Sequence, residues 1–324
     1  MMTKMSRRSF VAGTMALAAA PLPAFGQSFP SRAITIVCPQ AAGGGADTWS
    51  RLAAERLQTY LDSPVVVENR VGASTMIGAE HVSQSRPDGH TLLMGSVTTL
   101  AINVGLFPDI RYDPRTDFIP LTIVTSFPLY MTVTPKLDVH SVPELIAYAK
   151  EHPGELNYGA PGAGTSPHLT AALFASVADI DVMAVPYAGA PDVSLALKRG
   201  DIHFAFSSSA LPDIESGELR GIGVSSLERT AQAPDIPTID EQGLTGFESS
   251  VWNGLVAPAG TPADIVAQLE ELCIRAATDP VLVDRVRDLG GDTVGNTSEE
   301  FAEVIRNDIE KWSAIIEEAD VKVG

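Results

Sequence analysis

The stretch Ile34-Thr-Ile-Val-Cys-Pro-Gln-Ala-Ala-Gly-Gly-Gly-Ala-Asp47 sets the reading of the whole chain. A short β-branched run ends at a glycine cluster, and apolar residues then recur at helical spacing as Leu52, Ala53, Leu57 and Leu61. A second run, Val65-Val-Val67, follows at once. Strand, glycine turn, helix and strand in that order predict a parallel sheet with helices packed on its faces.

The glycine cluster also carries a chemical implication. Helix N-termini hold backbone N–H groups without intrahelical partners and the positive end of the peptide dipole, so a turn that exposes them forms an anion site. Taken alone, this loop needs no more than a tight turn with Asp47 as the helix cap. The pattern recurs, however, in Gly159-Ala-Pro-Gly-Ala-Gly-Thr-Ser-Pro-His168. There Gly162, Gly164, Thr165 and Ser166 combine backbone donors with two hydroxyls directly ahead of a helix. Hydrogen bonds to a charged group contribute roughly 1.5–3 kcal/mol each, so a few neutral donors suffice to hold a carboxylate without burying a cation. Two such loops predict one pocket between two lobes.

Strand and helix patterns alternate along the rest of the chain. A first set runs through the segment 119–124. A second begins at Tyr130 and continues with helices at 142–151, 167–177 and 191–199 and strands at 156–158, 183–185, 203–206 and 221–225. An extended run at 249–257 precedes three helices, 262–278, 280–289 and 298–319, expected to return to the first lobe. In the last of these, Thr297 or Ser298 can cap, Glu299 and Glu300 favour the positive end of the dipole, and Ile305, Ile309, Trp312 and Ile316 form a packing stripe. The expected division is residues 27–128 with 250–324 in lobe 1 and 129–249 in lobe 2. Tyr187 and the run Ser207-Ser-Ser209 end strands, where open α/β sheets bind ligands.

The first residues, Ser6-Arg-Arg-Ser-Phe-Val11, precede a mild apolar run of about ten residues and the small-residue site Ala24-Phe-Gly26. This predicts an export signal over residues 1–26, of twin-arginine type or an ordinary secretory one. Cleavage would remove Lys4, Arg7 and Arg8 and take the formal charge from −18 to −21. So acidic a chain is a poor partner for nucleic acid or anionic membrane surfaces. No later stretch is uniformly apolar over 18 residues, which predicts a soluble mature protein. Cys38 and Cys273 have no metal or redox spacing; a disulfide and two buried thiols both remain open.

Competing chemistries lack their residues. Neither glycine loop is followed by Lys-Ser or Lys-Thr, and Gly162-Ala-Gly164 lacks the third glycine of a dinucleotide fingerprint. No Gly-x-Ser-x-Gly elbow occurs, and the six histidines show no His-Glu-x-x-His or comparable ligand spacing. His168 alone stands at a candidate site, as a capping, packing or ligand residue. No catalytic residue, metal or cofactor is expected.

The chain resembles the substrate-binding receptors of tripartite tricarboxylate transporters, the Bug or TctC family of periplasmic solute receptors. The likeness runs through Phe29-Pro-Ser-Arg-Ala-Ile-Thr-Ile-Val37, Ala41-Ala-Gly-Gly-Gly-Ala-Asp47, Pro64-Val-Val-Val-Glu-Asn-Arg70, Ile77-Gly-Ala-Glu80 and Pro87-Asp-Gly-His-Thr-Leu92. It resumes in Val185-Pro-Tyr-Ala-Gly189, Pro234-Asp-Ile-Pro-Thr238, Ala257-Pro-Ala-Gly-Thr-Pro262 and Glu310-Lys-Trp312. The resemblance implies an α/β fold of the periplasmic binding protein type II kind, two lobes joined by a hinge and closing over a small organic acid. It implies delivery to integral membrane transporter subunits by a monomer that performs no covalent chemistry. Ala42, Gly43, Gly45 and Asp47 match the family's first binding loop and Gly162, Gly164, Thr165 and Ser166 its second, while Ser96, Thr98, Tyr187 and Ser207 match positions lining the remaining cleft. Gln40 replaces a common aromatic residue and Ser207 a frequent aspartate, which suits a dicarboxylate or hydroxylated acid over a cationic amino acid. Rival expectations are a receptor presenting its ligand to a sensor kinase and an exported enzyme acting on a small acid.

Overall fold

The computed structural model describes residues 29–61 and 63–323; the expected export signal lies outside the described residues. The chain opens with β1 (Ile34–Cys38), α1 (Gly45–Tyr60), β2 (Val65–Asn69), α2 (Met76–Ser83) and β3 (Thr91–Ser96). A single wide π turn, Thr98–Ile102, leads into the short α3 (Asn103–Leu106), and the eleven-residue β4 (Phe118–Pro128) follows. β5 (Tyr130–Val133), α4 (Val142–Glu151), β6 (Asn157–Ala160), α5 (Ser166–Ala178), β7 (Met183–Pro186), α6 (Ala190–Arg199), β8 (Phe204–Ser207), α7 (Leu211–Glu215) and β9 (Arg220–Val224) come next. The chain ends with β10 (Ser250–Pro258), α8 (Ala263–Ala277), α9 (Pro280–Arg287), β11 (Asp292–Thr293) and α10 (Ser298–Glu318).

These strands form two sheets and hence two α/β lobes. The first has the order β11-β4-β10-β3-β1-β2 and the second β7-β6-β8-β5-β9. Parallel pairing holds where crossover helices demand it, for β1 with β2 and β3 and for β6 with β7 and β8. The parallel pairing that strand–helix alternation predicts gives way at β4, β5 and β10. β10 pairs antiparallel to both β3 and β4, and β5 antiparallel to β8 and β9. The reason is connectivity, because β4 leaves the first lobe and β10 re-enters it, so the two lie side by side with opposite directions.

Packing follows the apolar periodicities. Ile34, Ile36, Ala53 and Leu57 share a core with Leu269 and Cys273 of α8, and Phe301, Ile305 and Trp312 of α10 close the other face of the same sheet with Trp252. In the second lobe Phe174, Phe204, Phe206 and Phe247 cluster on one face. The α10 helix starts with a capping box in which Thr297 accepts from the Glu300 amide and Glu300 accepts from the Thr297 amide. Both cysteines are buried free thiols, and burial pushes the Cys273 thiol up to about 12. No helix among the described residues is long and apolar enough to cross a membrane.

The crossing between lobes is knotted by one serine. Ser225, fully buried just after β9, accepts through Oγ from the Leu129 amide at 2.8 Å and donates to the Ser249 carbonyl at 2.5 Å. Its own amide donates to the Leu129 carbonyl, and its carbonyl accepts from the Ser249 amide. Both connecting segments are therefore tied at one residue. Replacing Ser225 with Ala leaves a buried amide and carbonyl without that partner and is expected to lower stability by roughly 1–3 kcal/mol in urea denaturation; an unchanged midpoint would show that the knot contributes nothing.

Candidate functional site

The carboxyl ends of β1, β2 and β3 share one edge of the first sheet, and the first glycine loop rises from β1 there. Helix α1 begins at Gly45 with Gly44 as its cap residue, three residues ahead of the expected cap at Asp47. Asp47 is thus not the cap but the third helical residue. Its carboxylate reaches back to accept the Gly43 amide at 2.9 Å, pairs with the Arg51 guanidinium at 2.9 Å and accepts from Asn69 Nδ2 at 2.8 Å. Asn69 Nδ2 also donates to the Gln40 carbonyl at 3.0 Å, so β2 clamps the loop to β1. The hydrogen bond from Arg51, with those from Gly43 and Asn69, holds the Asp47 carboxyl at about 2 despite its burial.

This network decides which donors stay free. Gly43, at φ +83°, spends its amide on Asp47, and Gly44 donates to the Ala41 carbonyl. The amides of Ala42, Gly45 and Ala46 have no acceptor among the described residues. Of the three consecutive glycines, Gly43 supplies the left-handed turn and Gly45 alone keeps a free donor. The Gln40 side chain is half-buried beside them.

The second loop uses the same economy at the carboxyl end of β6. Gly162 (φ +100°) donates to the Ala160 carbonyl at 2.8 Å, and Gly164 (φ +71°) donates to Nδ1 of His168 at 3.0 Å. Thr165 returns both its amide and its hydroxyl to the Gly162 carbonyl. The glycines shape the turn, while the amides of Ala163 and Ser166 and the Ser166 hydroxyl have no protein partner among the described residues. Since Nδ1 accepts, the proton of the His168 ring sits on Nε2. Burial lowers the His168 pKa and keeps the ring neutral. That ring lines a cavity of about 820 Å³ between α5 and the end of α10, away from the glycine turn it supports.

The remaining expected residues fall on the same edges. Ser96, buried at the end of β3, bonds the Thr99 hydroxyl at 3.1 Å, whereas Thr98 on the π turn is half-buried. Tyr187, just past β7, ties its amide to the Ala160 carbonyl, and its ring packs beside the Val193 and Leu197 cluster. Ser207 ends β8, with its hydroxyl 3.1 Å from that of Ser209. The loops stand on separate lobes. The second abuts the first lobe where Gly164 meets Leu106 of α3, a Cβ there falling 2.4 Å from Leu106 Cδ1.

One feature escaped the sequence reading. Ala73, Ser74 and Thr75, between β2 and α2, all lie in the left-handed region at φ +45°, +49° and +77°. Each such non-glycine residue costs about 1–2 kcal/mol. A buried polar cluster holds them, because Asn103 Nδ2 donates to the Ser74 carbonyl at 2.7 Å and Thr99 Oγ1 to Thr75 Oγ1 at 2.9 Å. Tyr112 in turn donates to the Thr99 carbonyl at 2.6 Å. The following helix leans on the first loop, with Gly78 so close to Pro39 that a Cβ would come within 2.7 Å. Only Gly72 hinted at this turn, since alanine, serine and threonine give no local sign of positive φ. Among the described residues, no three His, Cys, Asp or Glu side chains converge on a metal position.

Two α/β lobes, joined by crossing strands and presenting helix N-termini at their facing edges, define the fold of the periplasmic solute-binding proteins. Residues 49–321 match the family described as tripartite tricarboxylate transporter family receptor, and the chain belongs to that family of solute-binding receptors. It is 35% identical over 294 residues to a protein encoded in the tcbD-tcbE intergenic region of Pseudomonas sp. strain P51, covering 90% of this chain and 87% of that one. It is similar to the solved structure of R. palustris Rpa4515 with adipate at a TM-score of 0.76 and 31% identity, covering 91% and 99% of the two chains. It is also similar to MatC from Rhodopseudomonas palustris with bound malate, at a TM-score of 0.72 and 31% identity over 89% and 100%.

Two outcomes follow for the loops. The Asp47 carboxyl lies below its ordinary value of 3.8, so its contribution to stability is complete above that value and is lost as pH falls through about 2. Denaturant titrations are expected to show wild type more stable than Asp47→Asn near neutral pH, the gap narrowing below about pH 4; a constant gap would mean that the charge is not what clamps the loop. Gly43→Ala meets only the left-handed strain of about 1 kcal/mol, since nothing lies within 4 Å of its Cβ, while Gly164→Ala adds a collision with Leu106. Gly164→Ala should therefore be the more destabilising in the same assay, and equal losses would refute that packing.

Proposed function

We propose that this protein captures a small organic carboxylate, a dicarboxylate or a hydroxylated or aromatic acid, by closing its two lobes, and passes it to a tripartite tricarboxylate-type membrane transporter. Residues 27–128 with 250–324 act as one lobe and 129–249 as the other. The observation that carries the reading is the pair of glycine turns on opposite lobes, each leaving helix N-terminal amides without an acceptor among the described residues. Gly43, Gly162, Gly164 and Thr165 shape the turns, Asp47 and His168 brace them, and Ala42, Gly45 and Ser166 meet the carboxylate. Gln40, Ser96, Thr98, Tyr187 and Ser207 border the rest of the ligand.

The relatives with adipate and malate bound support a carboxylate as the ligand class. The protein's acidic charge gives no general attraction for an anion, so recognition rests on short-range dipoles within the cleft. No nucleophile is assigned and no chemical step is required of the protein, which acts in the periplasm as a monomer. Closure follows if the closed state binds ligand more tightly than the open one.

Calorimetric titration with a panel of carboxylates is expected to give micromolar dissociation constants, about −8 kcal/mol, for at least one member. Small-angle scattering should then show a smaller radius at saturating ligand. A radius unchanged by a bound carboxylate would overturn closure, and tight binding of cationic or neutral compounds alone would overturn the ligand class.

A further inference from the structure

The second lobe holds a pocket of about 370 Å³ in the gap between α6 and α7, over the face of its sheet. Its position relative to the second glycine loop gives it meaning. Pro161, immediately before Gly162, borders it, and so do Ser207 and Ser209 beyond the carboxyl end of β8. β6 and β8 are parallel neighbours, Gly159 aligning with Ala205, so the strand ends that carry Pro161 and Ser207 lie on one edge. The pocket thus begins where the proposed carboxylate grip ends.

Its buried lining and its charged border differ in chemistry. Val193 and Leu197 of α6, Ala205 of β8, Ala210 and Leu219 make an apolar lining and are almost wholly buried. A partly exposed ion cluster borders the pocket, in which Lys198 Nζ reaches Asp213 at 2.7 Å and Glu218 at 2.5 Å, and Ser194 donates to Asp213 at 2.5 Å. One ammonium faces two carboxylates there, leaving a net negative charge. Among the described residues Lys198 is the only cation lining the pocket and it is already committed, so a second ligand carboxylate arriving there would be repelled and find no partner. An apolar group meets no such obstacle.

Resting on the carboxylate reading above, we infer that this pocket is the specificity subsite for the far end of the ligand, and that it selects a monocarboxylate with an aromatic or branched apolar body over a dicarboxylate. A cavity of about 150 Å³ suffices for benzene, so this volume takes a substituted ring. The Ser207 and Ser209 hydroxyls at the mouth admit a polar substituent near the carboxylate but none deep in the pocket.

The test titrates the full-length mature protein with phenylacetate, 3-phenylpropionate, 4-methylpentanoate, succinate and malate. The variants Ala190→Leu, at the half-buried mouth, and Ala205→Leu, in the wall, fill the pocket from two sides, and thermal unfolding identifies which of them is folded. The expected result is that one or more of the first three acids binds wild type at least tenfold more tightly than succinate or malate, and that a folded filling variant weakens that acid at least tenfold. Tighter binding of succinate or malate, or an apolar acid indifferent to both fillings, overturns the subsite while leaving the carboxylate grip intact. If no acid in the panel binds wild type, the subsite falls together with the grip on which it rests.

Discussion

The adjacency of β4 and β10 is the constraint on which the rest of the structure depends. One strand leaves the first lobe and the other returns beside it, so the lobes are joined at two neighbouring points instead of one flexible tether. Two neighbouring crossings constrain the lobes more than a single tether would. Ser225 binds both crossings through one hydroxyl, while Thr170 of α5 meets Ser249 at 2.6 Å and ties the second-loop helix to the same place. The glycine loops inherit their relative position from this junction.

Within each loop, the donors that shape the turn are distinct from the donors left without a partner. Gly43 and Gly164 are required for their backbone angles, and their amides are consumed by Asp47 and His168. The free amides belong mostly to neighbours that look unremarkable in the sequence, such as Ala42 and Ala163. Neutral donors held by buried clamps need no reorganisation when an anion arrives, and they leave no unpaired cation behind when it departs. The strained turn at Ala73–Thr75 is braced in a similar way, by the buried hydroxyl of Thr99 and the side-chain amide of Asn103.

Much of the fold was legible because local patterns encode it. The apolar stripe of α10, the strand runs at β1 and β2 and both glycine turns are short-range signals, set by 3.6-residue and two-residue periodicities and by the steric freedom of glycine. The misreadings were of another kind. Asp47 resembles a cap in sequence, yet its partners Gly43, Arg51 and Asn69 recruit it one turn further in, and the antiparallel strands follow from a chain reversal that no local window contains.

The sequence by itself determined the class of the molecule, the family it resembles and the two loops most suited to an anion. Tertiary structure alone decided which amides stay unpaired, how Ser225 joins segments as far apart as Leu129, and that α6 and α7 leave an apolar gap ending at Lys198 and Asp213. The physical reason is range. Backbone preferences act over a few residues and can be read in order, whereas hydrogen-bond partners and voids arise only after distant elements compete for the same space.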